Sequence, residues 1–441
     1  MRSLNRDFCV KPSEAPFVYP CHALVVGSVF TACTGALAFG YHLAIVNGTL
    51  EAISGDLGFG HSATLQGLVV SSLLAGAALG SLVGGVLADY AGRRKALLIA
   101  SGPMLLGPMV SATSVALDSM VLGRFITGAG VGLSSALVPL YIAEIAPPAS
   151  RGMWGSLNQL MICIGILLAL LANVCMNPTR LWRVTFAISS VPALALCLGM
   201  VGWCVDSPKD AHVNSQSVES ACVAFQRQSA SQPKLRPLGR NKGVWLGCAL
   251  FLCQQLSGIN AVIYFSSRIF QEAGVGSGAL TASIAVGVFN IAGTLFAMAV
   301  IEKVGRRSLL IASYAGMAAN MLVMGATFAV PVLESHSHAI TLFGTVFFVL
   351  SFALGAGPVT GLLVPELNES TTRARAVSAA MLVHWMANVA VGQAFLPAVQ
   401  TLGVSTVYLC LGYFCMLAVV FVAKCIPETH TKALEQIGMR Q

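Results

Sequence analysis

Twelve apolar runs divide this sequence, and each is long enough to cross a lipid bilayer. A membrane-spanning helix needs about 20 predominantly apolar residues. The runs lie near 24–48, 64–88, 96–116, 121–145, 154–176, 184–204, 244–270, 280–301, 308–332, 340–364, 375–399 and 404–425. Only 10% of the 441 residues are charged, whereas soluble domains have about 25%. Because a backbone in lipid must satisfy its own hydrogen bonds, we expect an all-α membrane protein with twelve transmembrane helices.

The predicted organisation is two groups of six helices joined by a polar linker. We expect an inner-side segment at 1–22, bundles at 23–205 and 244–426, a linker at 206–243 and a tail at 427–441. Lys and Arg collect on the inner side of membrane proteins. With both termini inside, the short inner loops contain Arg93, Arg94, Lys95, Arg151, Lys303, Arg306, Arg307, Arg373 and Arg375, and the outer loops only Arg124, Arg180, Arg183 and Arg268. The net charge of +8 is thus a topology signal, and no nucleic acid partner is expected.

The two groups of six repeat the same charge motifs. Asp89 through Arg94 follows the second run, and Glu302 through Arg307 follows the eighth, each as an acidic residue, a glycine and two arginines. Glu144 precedes Arg151 by seven residues, and Glu366 precedes Arg373 by the same spacing. Repeats in the same order predict two pseudo-symmetric six-helix bundles. Parallel repeats of this kind are typical of transporters, whose cargo binds at the repeat interface near mid-membrane.

These charge motifs predict an ion-pair network on the inner face. The arginines can pair with a carboxylate at a neighbouring helix end, and such pairs can favour one conformer and break in the other. The alternative is that they only anchor loops at the lipid headgroups. The predicted network consists of Asp89, Arg93, Arg94, Glu144, Arg151, Glu302, Arg306, Arg307, Glu366 and Arg373.

The seventh run is unusually rich in amides. Gln254, Gln255, Ser257 and Asn260 stand within seven residues, and Tyr264 follows Asn260 by one helical turn. Amides both donate and accept hydrogen bonds, as the vicinal hydroxyls of a neutral sugar require. The alternative is hydrogen bonding between helices without cargo. Gly258 predicts a local loosening of this helix.

Other runs add single polar or aromatic residues at helical depth. They are Gln159, Asn290, Trp385 and Asn388. Each alone is more often a packing residue than a ligand, but Trp385 and Asn388 stand one turn apart. Gly355 through Pro358 predicts a flexible break in the tenth run. Because no nucleophile–base set, metal cluster or cofactor motif appears, we expect no enzyme activity, no metal and no cofactor.

At these residues the chain resembles the sugar-porter branch of the major facilitator superfamily. The resemblance runs from Phe39 to Glu435 outside the linker, and Gln254 to Asn260 is its most specific part. Phe39 to His42, Val46 to Gly48 and His384-Trp385 are most similar to the plastidic glucose translocators of plants and algae. The resemblance implies a hexose cargo, namely glucose. We also expect the protein to function as a monomer. The resemblance implies binding by Gln159, Gln254, Gln255, Asn260, Asn290, Trp385 and Asn388. It also implies the plastid inner envelope, with the plasma membrane or another organelle as alternatives.

His42 bears on the mode of transport. Proton-coupled relatives have an aspartate after Gly-Tyr in the first helix, whereas here His42 follows Gly40 and Tyr41. Histidine can also exchange a proton near neutral pH, but a neutral hydrogen-bonding role is the simpler interpretation, so facilitated diffusion is expected. The alternatives are a proton-coupled sugar symporter, a porter of another polyol and a sugar sensor that does not transport. The short termini count against the sensor.

Overall fold

The structure is a computed structural model, and it describes residues 22–146, 151–176, 178–207, 242–329, 336–368 and 373–428. Within these ranges the chain is helical and contains no strand. The predicted segments 1–22 and 427–441 and the linker 206–243 lie almost wholly outside them. The side chains of Arg151, Glu302 and Arg373 also lie outside the described part, so their predicted network roles stay predictions.

Fifteen α-helices make up this described part of the chain. They are α1 His22–Ala44, α2 Val46–Asp56, α3 Ala63–Ala91, α4 Arg93–Ala112, α5 Leu117–Ile145, α6 Arg151–Cys175, α7 Pro178–Ile188, α8 Val191–Gly202, α9 Lys242–Leu256, α10 Ile259–Glu272, α11 Ala279–Val304, α12 Arg306–Ala329, α13 Ser337–Leu354, α14 Ala356–Glu366 and α15 Arg373–Cys425. Eleven continuous stretches are long and apolar enough to span a membrane.

The last stretch provides two crossings. It covers 50 residues, Ala376–Cys425, which at 1.5 Å per residue is roughly 75 Å, more than twice a bilayer core. Gly403 is non-helical inside it and divides it near the predicted gap between runs eleven and twelve. Twelve crossings result. The inner face is the side of the protein that carries the turns between α3 and α4 and between α11 and α12.

Glycines pack the first six-helix half closely. A Cβ added at Gly128 or Gly132 of α5 would overlap a backbone carbonyl of α3, and one added at Gly76 or Gly80 of α3 would overlap a carbonyl of α5. Helices lacking a hydrophobic driving force in lipid associate through such small residues. The α3–α5 contact therefore depends on backbones that touch directly.

Side-chain hydrogen bonds join the two halves on the outer side. Arg268 of α10 donates to Gln66 Oε1 of α3 at 3.0 Å. Ser71 donates to Gln393 Oε1 at 2.8 Å, and Gln393 Nε2 donates to the carbonyl of Thr64 at 3.0 Å. The α3 and α15 helices are thus tied together at their outer ends.

The four arginines predicted in outer loops lie instead inside helices: Arg124 in α5, Arg180 and Arg183 in α7, and Arg268 in α10. Arg124 was expected in an outer loop, but it lies inside α5 and its side chain is only 1% exposed. Its guanidinium donates to the carbonyls of Val69 and His42, each at 3.2 Å. A buried cation is tolerated here because carbonyl oxygens replace its hydration.

Candidate functional site

The amides of the seventh crossing form one hydrogen-bonded network. The crossing breaks between α9 and α10 at Gly258, whose φ of +87° is one that side-chain-bearing residues rarely adopt. Asn260 Nδ2 donates to Gln255 Oε1 at 2.6 Å, and Gln255 Nε2 lies 3.5 Å from Gln254 Oε1. The break lets residues from both helix segments turn toward the same place, so the three amides lie together.

A second helix break supports this network. The tenth crossing is interrupted at Gly355, between α13 and α14, where the sequence predicts a break. Gln254 Nε2 donates to the carbonyl of Ala356 at 2.6 Å. The bond uses a backbone group at the helix start to hold Gln254, and it thereby links the two broken crossings.

The eleventh crossing presents an aromatic and an amide to the same region. Tyr264 Oη of α10 donates to Asn388 Oδ1 at 3.0 Å. The Trp385 ring lies 5.4 Å, centroid to centroid, from the ring of Phe39 in the first half. The Gln255 amide nitrogen lies 2.8 Å from Nδ1 of His384. These contacts join α10 and α15 around the amides and place one ring from the first half beside Trp385.

The two remaining predicted ligands lie at the contact of α6 and α11. Gln159 Nε2 points to Cys163 Sγ at 3.7 Å, and Cys163 Sγ lies 3.4 Å from Thr294 Oγ1. Thr294 in turn donates to the backbone carbonyl of Asn290. In the described part of the chain, no hydrogen bond joins this pair to the α9–α10 amides. The geometry thus brings five of the seven predicted ligands into contact networks around α10 and α15, and leaves Gln159 and Asn290 at a separate contact.

Three of the predicted ligands have buried polar atoms without a hydrogen-bond partner. These atoms are Asn290 Oδ1, Trp385 Nε1 and Asn388 Nδ2. Leaving a buried polar atom unsatisfied costs about 1–3 kcal/mol, and native proteins have few such atoms. One acceptor and two donors thus remain available to a ligand that both donates and accepts hydrogen bonds.

The inner-face charge cluster of the first half contains ion pairs between its own helices. Arg93 Nε lies 3.0 Å from Glu144 Oε2, and Arg93 Nη2 lies 3.4 Å from Asp89 Oδ1. Ser207 also donates to Glu144. These pairs connect the α3–α4 turn to the inner end of α5.

Arg94 of the same cluster binds the end of the sixth crossing. It donates to the carbonyls of Met200 at 2.7 Å and Val201 at 3.2 Å, and it pairs with Asp206 at 3.6 Å. Helix C-terminal carbonyls lack partners within the helix and attract cations. Arg94 therefore holds α8 against the start of α4.

The second half repeats this arrangement with one difference. Arg306 lies 3.6 Å from Glu366, and Arg307 donates to the carbonyl of Ala423 near the end of α15, as Arg94 does in α8. The Glu428 carboxylate, however, accepts from the backbone N–H groups of Arg306 at 2.9 Å and Arg307 at 3.2 Å. Glu428 thus caps the first turn of α12 directly.

The first crossing is broken at its outer end, next to His42. Asn47 and Gly48 have non-helical backbone angles, with a Gly48 φ of +92°. Asn173 donates to the freed carbonyls of Ile45, at 3.0 Å, and Asn47, while Arg124 donates to that of His42. The His42 side chain is buried, and its Nε2 atom has no hydrogen-bond partner.

The Asn47 side chain crosses from this break to the second half. Its Nδ2 donates to the Ile263 carbonyl at 2.9 Å and to Ser266 Oγ at 2.5 Å, and its Oδ1 accepts from the Ser267 N–H at 3.1 Å. Asn47 thereby ties the first crossing to α10 on the outer side.

Sequence reasoning missed several residues of these contacts. His384 and Asn47 entered the sequence interpretation only as parts of the family resemblance, and Asn173 did not enter it. An isolated amide or histidine within an apolar run was the one available signal. The backbone carbonyl of Ala356 gives no sequence signal, because every residue carries a carbonyl and its contact with Gln254 depends on how α9 packs against α14.

Comparisons with known proteins agree with this arrangement. The profile of the sugar (and other) transporter family matches residues 28–439. The chain is 42% identical to plastidic glucose transporter 4 of Arabidopsis thaliana, over 94% of this chain and 80% of that protein. It is 28% identical to the galactose-proton symporter of Escherichia coli K12, over 92% of each.

Solved structures give the same result. The xylose transporter XylE from E. coli, in a partially occluded inward open conformation, superposes with a TM-score of 0.80 at 28% identity, over 92% of this chain and 99% of that one. Twelve crossings in two related halves are therefore the major facilitator fold, and the chain belongs to the sugar (and other) transporter family.

Proposed function

We propose that this transporter carries a neutral hexose, glucose, down its concentration gradient. The observation that carries the proposal is the pair of unsatisfied buried donors on Trp385 and Asn388, which lie on α15 with the contacts of the amide network. Asn290, at the α6–α11 contact, adds an unsatisfied acceptor. A hexose supplies hydroxyls that donate and accept, and its apolar face suits an aromatic ring. The 42% identity to a plastidic glucose transporter supports glucose among the hexoses.

Reconstituted protein tests this proposal directly. Labelled glucose uptake into liposomes should saturate, equilibrate and be competed by hexoses more strongly than by inositol or other polyols. Stronger competition by a polyol would favour a polyol porter, and binding without uptake would favour a sensor. No uptake of any sugar or polyol would overturn the proposal.

Uniport is proposed over proton symport because the first crossing offers histidine in place of a carboxylate. The specific observation that favours the second candidate, symport, is the unpartnered Nε2 of buried His42. Glucose uptake should be indifferent to an imposed proton gradient. Accumulation above equilibrium that disappears in His42→Gln would establish symport instead.

We further propose that the inner-face ion pairs bias the conformational equilibrium. The pairs of Arg93 with Glu144 and of Arg306 with Glu366 join helix ends on the inner face of each half. Glu366→Gln should shift the protein from outward-open toward inward-open, read as increased labelling of inner-face cysteine probes. Glu51→Gln, on the exposed outer side, is the control, and unchanged probe labelling would contradict the proposal.

The proposed location is the plastid inner envelope, and the proposed functional unit is a monomer. The support for the location is the similarity to plastidic relatives. Immunodetection in purified envelope fractions tests the location, and single-particle mass measurement in nanodiscs tests the stoichiometry. Detection only in the plasma membrane, or an obligate dimer in active preparations, would contradict them.

A further inference from the structure

His384 contacts the amide network but is not one of the residues proposed to bind the hexose. Its Nδ1 lies 2.8 Å from the Gln255 amide nitrogen. Gln255 is 1% exposed, so this contact replaces solvent for one end of the amide. What His384 accepts or donates therefore affects which way the Gln255 amide is oriented.

The orientation of the network follows from a backbone carbonyl. The Ala356 oxygen can only accept, so Gln254 must donate its Nε2 and turn its Oε1 the other way. That oxygen faces the Gln255 amide at 3.5 Å, which favours the Nε2 end of Gln255 on this side. His384 Nδ1, on the same side, must then be the acceptor.

The consequence reaches Asn260. With Gln255 Nε2 bound to His384, Gln255 Oε1 accepts from Asn260 Nδ2 at 2.6 Å. Asn260 Nδ2 is thereby directed toward Gln255, and Asn260 Oδ1 is turned the other way. A reversed Gln255 would set its oxygen against that of Gln254 and would make Asn260 present a donor instead.

The His384 ring is itself held by two aromatic neighbours. It packs edge-to-face on Trp385, with centroids 4.9 Å apart and an interplanar angle of 85°. It meets Phe251 at 5.1 Å and 78°. Ring packing of this kind fixes where Nδ1 points, independently of the hydrogen bond.

We propose that His384 is a positioning residue which, through Gln255, makes Asn260 present an acceptor oxygen to the hexose and thereby determines substrate selectivity. The inference rests on the proposed hexose site. A sugar hydroxyl opposite Asn260 must then donate a hydrogen bond. Replacing that hydroxyl by fluorine, which cannot donate, abolishes the bond and leaves the buried oxygen unpaired.

Two substitutions separate the hydrogen bond from the ring. His384→Phe keeps a ring against Trp385 and Phe251 but has no acceptor. His384→Asn loses the ring but can place an amide oxygen near the position of Nδ1. Phe251→Leu removes one ring contact and leaves the hydrogen bond, so it is the matched packing control.

The measurement is liposome uptake of glucose, with competition by a series of monodeoxyfluoroglucoses. Wild type should discriminate against one fluorinated position by about tenfold or more. His384→Phe should raise the KM for glucose about tenfold, leave the maximal rate within about twofold and lose most of the discrimination. His384→Asn and Phe251→Leu should retain it.

The opposite pattern would overturn the inference. Discrimination retained by His384→Phe and lost in His384→Asn would assign His384 to packing. Equal behaviour of all variants and wild type would also contradict it. Lack of hexose uptake by wild type would overturn the proposed function together with the inference, whereas uptake with unaffected selectivity overturns the inference alone. Thermal unfolding of each variant verifies that it is folded.

Discussion

The two halves share one ancestral pattern but differ in how their helices are built. In the first half, Gly128 and Gly132 of α5 meet carbonyls of α3 so closely that a Cβ would overlap them. In the second half, the seventh and tenth crossings are interrupted at Gly258 and Gly355. The α3–α5 pair of the first half is thus a tightly packed frame. The first half also has a helix break, at Asn47 and Gly48, but the two breaks of the second half border the amide network.

The proposed binding residues follow this division. Gln159 is the one predicted ligand in the first half, and the other six belong to the second. Broken helices offer free carbonyls and turn side chains toward the interior.

The largest expected effect comes from disturbing the frame. Gly128→Val should destabilise the protein by about 3 kcal/mol, because the new side chain would overlap the backbone at Leu73 and force α3 and α5 apart. Gly361→Ala in the second half is the control, since its Cβ would meet no atom within 4 Å. Thermal unfolding in detergent measures both, and equal stability of the two variants would contradict the proposed division.

Removing proposed ligands should have the next largest effect. Asn388→Ala deletes an unpaired donor and the partner of Tyr264, so it should cost about 1–3 kcal/mol, or roughly 5- to 150-fold in KM for glucose. Gln159→Ala should raise the KM only a few-fold, because its partner is a thiol at 3.7 Å. Glucose uptake into liposomes measures the KM of both variants. A greater loss in Gln159→Ala would place the main site in the first half.

Removing one acidic residue from each inner-face charge cluster should lower stability less than the changes above, and by different amounts in the two halves. Glu428→Ala should lower stability by about 1 kcal/mol, because it removes the cap from two backbone N–H groups. Asp206→Ala should cost less than about 0.5 kcal/mol, since Asp206 is 60% exposed and pairs only with a side chain. Chemical or thermal unfolding compares the variants. A larger loss of stability in Asp206→Ala than in Glu428→Ala would mean that the first half depends on its acidic residue more than the contacts indicate.

The smallest effect is expected at the outer edge of the first half. Arg183 donates to Asp56 Oδ2 at 2.5 Å, and this hydrogen bond lowers the pKa of Asp56 below its usual value. A lowered pKa stabilises the fold at neutral pH, and that contribution is lost as pH falls through the folded-state pKa. Asp56→Asn should therefore unfold slightly more easily at pH 7 and no more easily at strongly acidic pH. A difference that persists in acid would assign the effect to something other than the carboxylate charge.

Much of the fold could be predicted from sequence because lipid restricts the alternatives. Apolar runs of sufficient length must become helices, and the repeated motifs at Asp89 and Glu302 indicate two related halves. Arg124 shows the limit of the method. An arginine near the end of an apolar run suggests a loop, yet this one is buried, because the carbonyls of His42 and Val69 accept its hydrogen bonds.

Part of the predicted binding site could be identified from the sequence, and part depends on the tertiary structure. Amides at Gln254, Gln255 and Asn260 stand out against their apolar surroundings in the sequence itself. Their hydrogen-bond directions depend on Ala356 and His384, which are more than a hundred residues away in the chain. Sequence spacing within one helix carries no information about such distant partners.

The sequence by itself therefore indicated the lipid surroundings, the number of crossings, the duplication and the concentration of amides in the seventh crossing. The reason is that local composition decides whether a segment can remain in lipid and which residues are too polar to do so without a partner. Only the tertiary structure decided which protein partner each amide end meets, and which residues lie together at the breaks of Gly258 and Gly355. Those properties come from contacts between helices that meet only after folding, where each buried donor must find an acceptor.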